Sequence, residues 1–283
     1  MGLFDDFLIT TDYDRTLTGP DGKIPERNLV AIRYFVENGG AFTVNTGRSG
    51  VTSRVLMEKV PANVPFLLMN GSAVVEKGEA LELNPIDLEP WPVLTRLAAE
   101  FPEVELEIQG LWCHYLWKPS PRRQANHEEN SWNYRLVQPG DDLGTFVKFN
   151  AFLPNQTLQE SLVSGQQNDD TVRLFDRMQD FIHEQWGDKM VAFRSGSCLL
   201  NVHARGVSKR DSARKLQKRL GKKYLVCIGD EGNDISMLDG ADFAYCPADG
   251  AVADRYENVC GSAEGAVADV IYKKIPEILK FQP

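Results

Sequence analysis

A parallel α/β fold interrupted by an inserted α+β domain is what this 283-residue sequence predicts, and three observations predict it. Short apolar runs alternate with helix-patterned stretches at the start of the chain, the rhythm of a parallel sheet covered on both faces. Between about residues 85 and 200 that rhythm gives way to adjacent strands followed by helices, as in an α+β domain with an antiparallel sheet. After Gly206 the first rhythm resumes.

The elements follow in order. Residues 7–11, Phe-Leu-Ile-Thr-Thr, read as a short buried strand that stops at Asp12. Past the turn-rich Gly19-Pro20-Asp21-Gly22, Pro25 opens a helix with apolar residues at Leu29, Ile32, Phe35 and Val36, closed by Gly39-Gly40. Residues 41–45 form a second strand ending at Thr46-Gly47-Arg48, a helix follows, and residues 65–69 form a third ending at Asn70-Gly71. Lys77-Gly78, flanked by 74–76 and 80–82, signals a hairpin. The inserted segment reads as helix, strands at 104–108 and 112–117, helix, strand at 146–152, and a further helix. Polar residues 164–170 then precede a helix at 172–186 and strands at 190–193 and 198–202. Ser208 caps a basic helix, 224–228 is a buried strand, 243–246 a last strand, and 264–274 a last helix. The expected domains are therefore 1–82 with 200–283, and an insertion at 83–199.

Composition narrows the function classes. With 42% hydrophobic and 25% charged residues the chain has the balance of an ordinary globular protein. Its formal charge of −9 repels phosphate backbones and anionic lipid, so no nucleic-acid or membrane partner is expected. No apolar run approaches the ~20 residues of a membrane span. Asp5 and Asp6 stand where a secretory leader needs positive charge, and Asp6 spoils a myristoylation signal. The five cysteines form no CxxC pair, which fits a cytoplasmic chain with reduced thiols.

Ligands of open parallel sheets bind beyond the carboxyl ends of the strands. Four such places carry suitable residues: Asp12-Tyr13-Asp14-Arg15-Thr16, Thr46-Gly47-Arg48, Ser208-Lys209, and Gly229-Asp230-Glu231-Gly232-Asn233-Asp234. The first and last patterns co-occur by chance in roughly one chain in a couple of thousand of this composition. Asp12, Asp14 and Asp230 bring several oxygen ligands to one point, a donor set for Mg²⁺ that is intolerable without a cation. A carboxylate attacks phosphorus only when the phosphoryl oxygens are neutralised, which the metal and Lys209 would do. Thr46 and the Gly47 N–H are placed to hydrogen-bond a phosphoryl group. A second carboxylate two residues beyond the nucleophile is close enough to protonate a leaving oxygen and then deprotonate water.

On these motifs, the Asn70-Gly71 pair, the position of the insertion and the run Gly206-Val207-Ser208-Lys209, the chain resembles the haloacid dehalogenase (HAD) superfamily over essentially its whole length. The most similar members are Cof-type sugar-phosphatase-like hydrolases, which have a Rossmann-like core and a large α/β (C2B-like) cap. The resemblance implies Asp12 as nucleophile, Asp14 as acid/base, and Thr46 and Lys209 as the second- and third-motif groups. It further implies Mg²⁺ on Asp12, the Asp14 carbonyl and Asp230, with Asp234 behind them. Tyr13, Thr46, Gly47, Lys209 and Asn233 would surround the phosphate. Arg15 stands where the first motif usually has glycine, a departure that bears on substrate and rate rather than class.

Each residue also has an ordinary reading. A lone Asp is usually a turn or cap residue, Thr46 alone an N-cap, and the run from Lys209 to Lys223 a solvated helix face with only Lys209 turned inward. Arg48 either steadies substrate or pairs with a nearby acid. Trp112, His114, Trp117, Arg122, Arg123 and Trp132 are candidates for a pocket in the insertion, with most of the aromatics read as core. The expected activity is Mg²⁺-dependent hydrolysis of a small phosphorylated metabolite, of the sugar-phosphate class, through an aspartyl-phosphate. The alternatives are a phosphomutase or phosphotransferase, or a non-catalytic phosphometabolite-binding protein.

Overall fold

The structure, a computed structural model, describes residues 2–154, 169–195 and 199–280. It divides into two units, Met1–Arg48 with Arg54–Glu82 and Ser208–Pro283, and Ser49–Ser53 with Leu83–Val207. The chain opens with β1 (Phe7–Thr11), α1 (Glu26–Glu37), β2 (Ala41–Val44), α2 (Gly50–Lys59), β3 (Phe66–Leu68), β4 (Ala73–Glu76) and β5 (Glu79–Leu83). Then come α3 (Pro90–Glu100), β6 (Glu105–Gln109), β7 (His114–Trp117), α4 (Pro121–Glu129), β8 (Tyr134–Val137) and β9 (Lys148–Phe152). They are followed by α5 (Asp169–Trp186), β10 (Met190–Ser195) and β11 (Leu199–Ala204). The chain closes with α6 (Lys209–Leu220), β12 (Tyr224–Ile228), α7 (Ile235–Asp239), β13 (Phe243–Pro247), β14 (Glu257–Val259), α8 (Ala266–Asp269) and α9 (Ile275–Lys280).

The first unit is built on a five-stranded sheet of order β14-β13-β12-β1-β2, with every pair parallel. All five residues of β1 are buried, as a central strand covered on both faces requires. Phe7, Ile9, Phe42, Val44, Val226 and Ile228 share one core with Ile32 and Phe35 of α1 and Val267 of α8. Leu8, Leu225 and Cys227 share another with Ala213 and Leu216 of α6. Each large side chain so buried contributes about 1.5–3 kcal/mol. Thr11 pairs with Ile228, so Asp12 and Gly229 leave the sheet side by side at its carboxyl edge. That register brings the first and last motifs together.

Three local readings differ from expectation. The strand at 65–69 shortens to β3, because Met69 and Asn70 take positive φ values of 55° and 57° that end extended backbone. β3 pairs antiparallel with β4 and meets the main sheet through a parallel bridge between Leu67 and Asn45. The last helix does not stop at 274: after α8 it loosens over Val270–Lys274 and runs on as α9. β8 and β14 are additional short edge strands; Leu136 of β8 is exposed, so alternation carried no signal there.

The second unit holds a six-stranded sheet of order β10-β11-β9-β6-β7-β8, antiparallel except for the parallel pair β7–β8. One face carries Leu106, Ile108, Phe149, Ala151, Leu200 and Val202, which share a core with Leu94 and Leu97 of α3 and Phe175 and Met178 of α5. The alternate positions are polar yet buried, among them Glu105, Glu107, Asn150 and His203. β11 pairs along its length with β9 and β10 within the second unit, which runs to Val207. The helix expected after residue 152 lies outside the described residues. Among the described residues no helix is long and apolar enough to cross a membrane.

Candidate active site

The first unit gathers its acids at the carboxyl edge of the parallel sheet. Asp12 follows β1 and Asp230 follows β12, while Asp234 ends the turn Gly232–Asp234 that leads into α7. Oxygens of all three lie within 4.8 Å of one another, and the three side chains are buried. Lys209, first residue of α6, reaches them: its Nζ donates to Asp12 Oδ1 at 2.5 Å and to Asp234 Oδ1 at 2.7 Å. Ser208 caps that helix, its Oγ accepting from the Asp211 N–H. Asn45 Nδ2 donates to the Lys209 carbonyl at 2.8 Å, tying the end of β2 to the start of α6. Farther along the basic run, Arg214 pairs with Asp242 and Lys222 donates to the carbonyls of Asp5 and Gly39.

The electrostatics are those of a site short of positive charge. Burial pushes the Asp12 carboxyl well above its ordinary range; Lys209 opposes this, and Asp234 and Asp230 add to it. Burial, then Asp234, lifts Asp230 from 3.8 to about 7. Burial alone would lower Lys209, but Asp12 and Asp234 more than reverse that and hold it charged. Three buried carboxylates facing one ammonium form an all-oxygen donor set that fits a hard divalent cation. Asp234 is already engaged: its Oδ2 accepts the N–H groups of Asp230 and Glu231, both at 3.1 Å, so it orients the turn that presents Asp230. Thr16 performs a similar service, its Oγ1 donating to Asp230 Oδ1 at 2.6 Å. The fifth position of the first motif carried that signal in the sequence, without its partner.

Asp14 is not in the acid cluster. Its side chain is half-exposed and takes a two-pronged ion pair from Arg48, Nε to Oδ2 at 2.8 Å and Nη2 to Oδ1 at 2.7 Å. The Arg48 guanidinium also lies 4.9 Å from the centre of the Tyr13 ring. Of the two readings of Arg48, the structure has the pairing with an acid. Arg15 takes φ 60°, ψ 8°, the left-handed conformation that explains the usual glycine. Asn233 is only partly buried.

Thr46 and Gly47 are held by the turn Met69–Gly71, which sequence reasoning used only as a motif. Asn70 N–H donates to the Thr46 carbonyl at 2.9 Å, and Met69 N–H to that of Arg48 at 3.0 Å. A Cβ on Gly47 would lie 3.1 Å from Asn70 Oδ1, and one on Gly71 would lie 2.5 Å from the Ser208 carbonyl. Gly71, with φ 92°, is therefore demanded by close approach to the start of α6, whereas Gly47 sits tightly against the Asn70 side chain. In the second unit, His114 and Arg123 are buried, whereas Trp112, Trp117 and Arg122 are partly exposed.

A parallel sheet with four motif loops converging on buried carboxylates and a lysine defines a hydrolase of the haloacid dehalogenase type. The chain belongs to the haloacid dehalogenase-like hydrolase family, whose model matches residues 9–271. It is 27% identical over 284 residues, 97% of this chain and 98% of the relative, to the 5-amino-6-(5-phospho-D-ribitylamino)uracil phosphatase YbjI of Escherichia coli. In fold it is similar to a haloacid dehalogenase-like hydrolase from Bacteroides thetaiotaomicron, with TM-score 0.75, 20% identity, and coverage of 94% of this chain and 98% of that one. It is likewise similar to the HAD subclass IIB sugar phosphatase BT4131, with TM-score 0.73, 16% identity, and coverage of 96% and 98%.

Proposed function

We propose that the protein is a Mg²⁺-dependent phosphatase that hydrolyses a small phosphorylated metabolite, a sugar or polyol phosphate, through an aspartyl-phosphate on Asp12. The observation that carries this reading is the buried Asp12–Lys209–Asp234 bridge beside Asp230. Asp12, the main-chain carbonyl of Asp14 and Asp230 would hold Mg²⁺, which when bound neutralises charge on the phosphoryl oxygens. Lys209 favours the ionised form of Asp12 against the pull of burial and aims its carboxylate, so that one of its oxygens attacks phosphorus as the ester oxygen departs. Thr46 and the Gly47 N–H take the phosphoryl oxygens as hydrogen-bond acceptors. Asp14, at the accessible rim, leaves its pairing with Arg48 and takes a proton from solvent, gives it to the leaving oxygen, and then takes one from the water that hydrolyses the aspartyl-phosphate. The second unit acts as a cap that reads the leaving group. Both the E. coli relative and BT4131 are named as phosphatases of such compounds, which supports the substrate class.

Phosphate release across a panel of sugar and polyol phosphates tests this. Turnover should require Mg²⁺, fall with Ca²⁺, whose longer and more variable coordination spoils in-line geometry, and vanish in Asp12→Asn. Full activity in excess chelator, or an active Asp12→Asn enzyme, would refute it.

A further inference from the structure

Helix α4 has no apolar face. Of its nine residues only Pro121 and Ala125 are nonpolar, and the two it buries are Arg123 and His127. A helix so short and polar has neither the intrinsic stability nor the hydrophobic stripe that ordinarily docks a helix on a sheet. What meets the sheet is a cluster of ligating groups.

His127, His114 of β7 and Glu107 of β6 converge there, each at most 3% exposed. His114 Nδ1 is 3.1 Å from His127 Nε2 and 3.5 Å from Glu107 Oε1. His127 Nε2 is 3.7 Å from Glu107 Oε2. Donors held at about 2.0–2.2 Å around a tetrahedral Zn²⁺ lie roughly 3.4 Å apart, so these are the separations of three ligands sharing one ion. Neighbouring groups also hold the two rings and the carboxylate, as metal-bound groups require. The Arg123 carbonyl can only accept, so the 3.0 Å contact from His127 Nδ1 places the proton there and gives Nε2 a lone pair, turned toward His114. Ser49 Oγ holds His114 Nε2 at 2.7 Å, and Gln109 Nε2 donates to Glu107 Oε1 at 2.7 Å. Such partners fix imidazole tautomer and carboxylate orientation around a metal.

We propose that Glu107, His114 and His127 bind a transition-metal dication of the zinc class, and that the ion staples α4 to the sheet of the second unit. Two imidazoles and one carboxylate suit a borderline ion, in contrast to the all-oxygen set of Asp12, Asp230 and Asp234. The competing occupant is a hydrogen-bonding proton in the 3.1 Å contact between His114 Nδ1 and His127 Nε2.

Metal binding to the full-length protein separates these occupants. The protein is stripped with chelator, returned to excess Mg²⁺ to fill oxygen-ligand sites, and titrated with Zn²⁺ and, separately, Co²⁺. We expect one tight equivalent of Zn²⁺, a raised unfolding temperature, and Co²⁺ absorption of four-coordinate intensity. His114→Ala and His127→Ala should lose that equivalent and the thermal shift. Should both variants fail to fold, X-ray absorption of the zinc-loaded wild type reads two imidazole ligands directly. No zinc binding, an oxygen-only shell, or undiminished binding in a folded His127→Ala protein would overturn the assignment.

Discussion

Replacing a carboxylate of the candidate active site should make the metal-free protein more stable. Asp230 is the cleanest position, because burial and Asp234 raise it from 3.8 to about 7. Between those values the native protein holds a proton that the unfolded chain has released. Stability in chelator therefore falls as pH rises through that window and is lowest above about 7. Three units at 1.36 kcal/mol each put the cost at about 4 kcal/mol at neutral pH and above. Asp230→Asn keeps an oxygen to accept from Thr16 but weakens that bond by about 1 kcal/mol, leaving a net gain of about 3 kcal/mol. The assay is urea unfolding in chelator at about pH 8 and about pH 5, followed by circular dichroism. Tryptophan fluorescence is unsuitable, since all five tryptophans lie between residues 91 and 186, in the other unit. The gain should be largest at the higher pH and should shrink at the lower. Added Mg²⁺ should stabilise the wild type, while the variant should respond weakly and be inactive. An Asp230→Asn protein less stable than wild type in chelator at about pH 8, or a difference independent of pH, would refute the reasoning.

Other outcomes follow from neighbouring groups. Asp14→Asn should lose activity on sugar phosphates far more than on an activated aryl ester, whose leaving group needs little protonation; equal losses would remove Asp14 from the acid role. Arg15→Gly should relieve the left-handed backbone and raise stability by about 1 kcal/mol, measured as a shift in urea midpoint. In the second unit, burial lowers His203 to about 4 against an ordinary 6.5. The unfolded chain binds that proton first, so stability is lost as pH falls from about 6.5 to about 4, by about 3 kcal/mol. His203→Gln should flatten that acid limb in tryptophan-monitored unfolding; an unchanged limb would assign the loss to other groups.

The two motif loops that matter most were legible because local chemistry and sheet register agree. Residues 7–11 and 224–228 are buried nearly throughout, as a central parallel strand requires, and they lead into Asp12 and Gly229-Asp230 respectively. Two apolar strands paired end to end then place Asp12 beside Gly229-Asp230 with little freedom left. Lys209 was legible for a similar reason, since Ser208 announces the helix start that presents it. Helix breaks were harder. The chain past Gly265 has no further Gly or Pro until Pro276, so the run through Val270–Lys274 into α9 had no marker.

The partners of Asp14 were beyond reach for a different reason. Arg48 lies 34 positions away, and nothing in either loop distinguishes a substrate-facing arginine from one folded back onto an acid. The polar sheet face of the second unit escaped in the same way. Glu107 and Asn150 alternate with apolar neighbours, a pattern that normally marks a solvated face, yet both are buried. Burial of an alternating polar strand depends on what the rest of the chain lays over it. For Glu107 that cover includes His127, carried by a helix that periodicity treats as wholly exposed. Polar residues therefore reveal themselves in sequence when a strand end presents them, and stay hidden when another polar element covers them. That division is why the acid cluster of the first unit could be read from motifs, whereas the histidine–glutamate cluster of the second required coordinates.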